Sequence, residues 1–144
     1  MVTAHVTPTN INFELKNHEN VPYRLENLMG EHGMLLGFTG DVWQVSCVRY
    51  VLWLQRQSFK LSTYGINSAL IVPNQTYELN GFFMSIPRDI PFPLLADPNA
   101  SVYETVGMEK PGYMLFNRDG DILGRWYVND TASLSLKSVM YRFR

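Results

Sequence analysis

Apolar and polar positions change period several times along the chain, and each change marks an element. Met34-Leu35-Leu36-Gly37-Phe38-Thr39 is an almost unbroken apolar run, the pattern of a strand covered on both faces. After a loop holding Gly40 and Asp41, residues Cys47, Tyr50, Val51 and Leu54 recur at i, i+3, i+4 and i+7. That spacing predicts an amphipathic helix running to about Lys60, with Ser46 as its N-cap. Residues 68–72 predict a second strand, ended by Pro73, and Asn74 is placed to cap a helix from Gln75 to about Met84.

The flanks are read the same way. Residues 1–12 form a polar arm, and residues 13–15 and 21–25 bracket a turn-like 16–20, predicting an N-terminal hairpin. A brief helix over 25–29 ends at Gly30. Pro87, Pro91 and Pro93 interrupt the middle of the chain, leaving Phe92-Pro93-Leu94-Leu95 short and extended. A helix over 100–106 stops at Gly107. Apolar runs at 113–116 and 122–128 enclose Asn117-Arg118-Asp119-Gly120-Asp121, a strong hairpin signal. A last helix covers about 131–141. Strand-helix-strand-helix followed by a hairpin and a helix requires a mixed central β-sheet with helices outside it, an α/β fold.

Composition narrows the function classes. The 144 residues fit one domain, 1–144; 46% are apolar and 17% charged, with net charge −1. That balance carries no electrostatic footprint for nucleic acid or an anionic membrane. No run approaches the roughly 20 apolar residues of a membrane span. The first residues lack a secretory signal, so the cytoplasm is the expected location and the glycosylation-like matches at Asn74, Asn99 and Asn129 are chance. One cysteine, Cys47, excludes an internal disulfide. His5, His18 and His32 lack ligand spacing, and Asp119-Gly120-Asp121 is turn chemistry, so no metal is expected. Gly37, Gly40 and Gly107 are too dispersed for a phosphate loop. No cofactor is expected either.

Several stretches together carry a resemblance. Pro91-Phe92-Pro93-Leu94-Leu95-Ala96-Asp97-Pro98 resembles the "PFPLLaDp" segment of the redoxins, the peroxiredoxin (alkyl hydroperoxide reductase/thiol-specific antioxidant) family and its thioredoxin-like relatives. Residues 102–107 match the family's helix ending in "yGv", and residues 111–120 look like its "PTtFlIDrdG". Phe13-Glu14-Leu15 resembles its opening strand. The resemblance spans about residues 8–128 and implies a thioredoxin-like fold with a site at Cys47.

The site motif departs from the family. Phe38-Thr39-Gly40-Asp41-Val42-Trp43-Gln44-Val45-Ser46-Cys47 stands where redoxins carry "GDWCPxC" or "PxxxTxxC". Trp43 matches the tryptophan of the first pattern. Gln44 replaces its first cysteine, or the threonine of the second, and Gly40 replaces the proline. Pro111 occupies the place of the peroxiredoxin arginine and resembles the thioredoxin-type cis-proline, so the Lys110–Pro111 bond is expected to be cis.

The chemistry this implies is thiol redox. A helix start favours the thiolate, and Arg49 or Arg125 could add positive charge. Cys47 is then the candidate catalytic residue, with Trp43, Gln44, Pro111 and Arg125 lining the substrate site. With no second cysteine, turnover needs an external thiol reductant. The alternative is a buried, unreactive Cys47 in a catalytically degenerate redoxin that binds a protein partner through the same surface. A homodimer is an expectation from the family.

Overall fold

A computed structural model describes residues 13–86, 90–127 and 136–142. The expected arm, Pro87, Asn129, Val128 and the start of the last helix lie outside the described residues. The elements are β1 (Glu14–Asn17), β2 (Pro22–Arg24), α1 (Leu25–Leu28), β3 (Gly33–Phe38), α2 (Val45–Thr63), β4 (Ile66–Val72), α3 (Thr76–Ser85), β5 (Leu94–Ala96), α4 (Ser101–Val106), β6 (Gly112–Asn117), β7 (Ile122–Tyr127) and α5 (Leu136–Tyr141).

The strands form one mixed sheet in the order β2-β1-β5-β4-β3-β6-β7. β3 pairs in parallel with β4, and β4 with β5, while β6 and β7 join antiparallel on the other side of β3. All six residues of β3 are buried, because it has a strand on each side and a packed layer on each face. One layer gathers Leu35, Leu70 and Tyr113 with Cys47, Tyr50 and Leu54 of α2 and Leu79 of α3. The other gathers Met34, Leu36, Phe38 and Met114 with Val102 and Val106 of α4. Alternate residues along each strand serve opposite layers, as the pleat requires.

Element ends follow local chemistry, with two corrections to the expected caps. Gln44, not Ser46, occupies the N-cap of α2, so the helix begins two residues earlier than its buried stripe suggests. Asn74 does not cap α3. Gln75 does, its N–H donating to Glu78 Oε1 at 2.9 Å. Gly107 closes α4 at φ 74°, a left-handed conformation that costs glycine little. Asp97 opens the same helix: it is buried, and its two oxygens accept from Ser101 N and Oγ and from Val102 N.

Candidate functional site

The sulfur sits where β3 runs out of the sheet. Thr39 continues the parallel ladder by donating to Ile71 O at 3.1 Å. The Tyr103 hydroxyl lies between two carbonyls there, Thr39 O at 2.6 Å and Ile71 O at 2.7 Å. Beyond Thr39 the chain turns through Gly40 and Asp41 into α2. Asn74, directly after β4, holds that turn: its Oδ1 accepts from the buried Val42 N–H at 3.0 Å and its Nδ2 donates to Asp41 Oδ1 at 3.2 Å. Asp41 Oδ1 also accepts from Trp43 N. This fixed turn delivers Cys47 to the third position of α2, facing inward.

Cys47 is 1% exposed. Its thiol donates toward Thr39 Oγ1 at 3.7 Å, and that hydroxyl donates onward to Gly40 O at 2.7 Å. The charged form of the sulfur is disfavoured. Burial pushes the thiol pKa up, the Thr39 contact opposes this more weakly, and the Asp41 carboxylate raises it again. Two buried phenols, Tyr50 and Tyr113, and the partly buried Tyr103 lie around the same space. Tyr50 is pushed up to about 12 by burial and by Cys47, and burial raises Tyr103 and Tyr113 as well. The Tyr113 hydroxyl donates to Tyr50 O at 3.1 Å. The Tyr50 hydroxyl is buried and has no hydrogen-bond partner among the described residues.

The other candidate residues divide between near and far. Trp43 is 56% exposed and meets Phe82 edge-on at 5.9 Å, roofing α3 beside Gly81. Gln44 folds back on the turn, its Oε1 so near Gly40 that a Cβ there would come within 2.6 Å of it. Pro111 precedes Gly112, which pairs with Phe38, so it lies at the same end of the sheet as Thr39. The Lys110–Pro111 bond is trans, not cis: among the described residues no peptide bond is cis.

Arg125 is a second correction. It pairs with Met114, whose side chain belongs to the layer opposite Cys47, while its neighbour Trp126 pairs with Tyr113 on the sulfur side. The Arg125 guanidinium donates to Val106 O at 3.1 Å, at the end of α4. Arg49 is exposed on α2 and has no ion-pair partner among the described residues. Neither cation is among the influences on the thiol.

Sequence reasoning did not single out Thr39, Asp41 or Asn74 as parts of the site. Thr39 reads as the polar end of a strand, and Asn74 as a cap. Their roles depend on contacts across 8 and 32 positions of chain, which no local pattern records. Among the described residues, no group of three metal-ligating side chains comes together, and no helix is long and apolar enough to cross a membrane.

The comparisons fit this geometry. The model of the AhpC/TSA family matches residues 7–125. No curated protein matches the chain. Among solved structures, the peroxidoxin BcpB from Mycobacterium tuberculosis superposes with TM-score 0.78 at 16% identity, covering 92% of each chain. A putative thiol:disulfide interchange protein DsbE from Chlorobium tepidum gives TM-score 0.76 at 18% identity, covering 92% of this chain and 94% of that one. The bacterioferritin comigratory protein of Xanthomonas campestris gives 0.78 at 13% identity, again covering 92% of both. At these identities the likeness shows a thioredoxin-like fold.

Proposed function

For a chain that belongs to the AhpC/TSA family, we propose a catalytically degenerate redoxin that keeps the fold and works by binding a protein partner. One observation carries this reading: the lone sulfur is buried, the charge acting on it among the described residues is the Asp41 carboxylate, and its pKa is raised. A peroxidatic or exchanging sulfur must be a thiolate at working pH. Attack on a peroxide O–O bond forms the S–O bond and expels an alkoxide or hydroxide. An anionic sulfur and a cation aimed at that oxygen make this fast, and both are missing from the described surroundings of Cys47.

A second reading has its own support. Cys47 occupies the first turn of α2 near Thr39, with Trp43 and Gln44 in the turn just before the helix and Pro111 at the same end of the sheet. A one-cysteine, thiol-dependent antioxidant oxidoreductase would use that place. Peroxide would take Cys47 to the sulfenic acid, one external thiol would condense with it to a mixed disulfide and water, and a second would release the reduced sulfur. Both readings take residues 1–144 as one redoxin domain in the cytoplasm, with a homodimer as the family's expectation.

Alkylation of Cys47 followed against pH, with intact mass after peroxide, separates them. The binding reading expects negligible alkylation below about pH 8.5, the ordinary thiol range, and no added oxygen. A depressed thiol pKa together with sulfenic acid at neutral pH would overturn it in favour of the oxidoreductase.

A further inference from the structure

The longest helix has two apolar faces, and the fold uses only one. Cys47, Tyr50, Val51, Leu54, Ser58 and Leu61 of α2 are buried against the sheet. At about 100° per residue, Val45, Val48, Leu52 and Phe59 fall on the opposite pole of the helix. All four are exposed, Val45 by 77% and Phe59 by 76%. The strip runs along roughly 21 Å of helix, about four turns. Arg49, Arg56 and Lys60 form a second row directly beside it. All three are exposed, and none has an ion-pair partner among the described residues. The 19-residue helix holds no acidic side chain.

We propose that the outer face of α2 docks an acidic amphipathic helix of a partner protein, whose apolar residues cover Val45, Val48, Leu52 and Phe59 while its carboxylates pair with Arg49, Arg56 and Lys60. Charge complementarity selects this occupant. A second copy laid on the same face would set its own three cations against these and repel. A row of cations flanking a narrow apolar strip matches a single helix with apolar residues at i, i+3 and i+7. On the other flank a recess of about 320 Å³, bordered by Ser58, Phe59, Ser62, Ile66, Pro91 and Pro93, gives that helix a socket for one inserted side chain. A flat lipid surface leaves such a socket unfilled. The proposal rests on the binding reading for its purpose, and its own test does not involve the thiol.

The test uses the full-length protein and a synthetic helical peptide with leucines at i, i+3 and i+7 and glutamates on one flank, followed by fluorescence anisotropy. The acidic peptide should bind, and binding should weaken in high salt. The R49E/R56E/K60E variant should bind about tenfold more weakly, three charge contacts each contributing a two- to threefold change. Leu52→Asp should weaken binding similarly. Circular dichroism checks that these surface variants keep the fold. Cys47→Ala should bind the peptide unchanged, so reactivity found at Cys47 would overturn the binding reading without touching this one. The proposal is overturned if a scrambled peptide of the same composition binds equally, or if charge reversal has no effect. It is also overturned if vesicles containing phosphatidylserine bind the face while the peptide does not, or if the protein self-associates through Leu52.

Discussion

The hydroxyl of Thr39 stands 3.7 Å from the sulfur of Cys47 and is the described side chain whose contact with that thiol favours its ionisation. It now accepts the thiol proton and passes its own to Gly40 O. To stabilise a thiolate it must turn and donate to sulfur, abandoning Gly40 O. A hydrogen bond to a charged group contributes about 1.5–3 kcal/mol. Thr39→Val should therefore slow alkylation of Cys47 at pH 9 by at least about tenfold, and Thr39→Ser should restore it. A Thr39→Val thiol that reacts as fast as the parent would show that the hydroxyl has no part in ionisation.

Alkali should unfold this protein in two stages. The folded thiol pKa lies above the unfolded value, so below roughly pH 8.5 its neutral form contributes fully to stability. Above that pH the unfolded chain releases the proton first, and stability falls until the folded pKa is passed. Tyr50, raised to about 12, adds a second loss that begins near the unfolded tyrosine value of roughly 10, with Tyr103 and Tyr113 shifted the same way. Urea unfolding measured from pH 7 to 11 should show both stages in the parent and only the upper one in Cys47→Ala. Identical curves would mean that the thiol titrates alike in both states.

Asn74 ties two loops together. Asn74→Ala leaves the buried Val42 N–H without its acceptor, a loss of about 1–3 kcal/mol. It also releases Asp41, which steadies the turn over the sulfur. Denaturant unfolding should report the lost stability, and Cys47 should alkylate faster as the turn opens more often. A destabilised variant whose thiol stays equally protected would assign the turn's rigidity to other contacts.

The sheet was legible in the sequence because each strand carries its own signal. The unbroken run in β3, the Asp-Gly turn between β6 and β7, and the proline-bounded β5 announce themselves within a few residues. The buried face of α2 was equally plain. Its start was not, because Val45 lies on the outer pole and so falls outside the stripe that revealed the helix. Of the candidate site, Cys47, Trp43 and Gln44 were proposed from one local motif, and the structure sets them on the turn into α2 and its first turn. Arg125 was misplaced because proximity along a strand says nothing of its face until the register with β6 is known. The cis peptide expected at Pro111 came from resemblance, and the backbone there is trans.

Arg125 and Cys47 stand on opposite sides of a wall one strand thick. The guanidinium is anchored on the far face by Val106 O, so Arg125 supplies no charge to the thiol in this arrangement. Moving it one position along β7 meets two obstacles: Trp126 already fills the inner side against Tyr113, and a side chain at Gly124 would strike the Trp126 indole ring. The packing that makes the core solid is thus also what keeps Arg125 from assisting this sulfur, and a reactive variant would have to be built from the helix side instead.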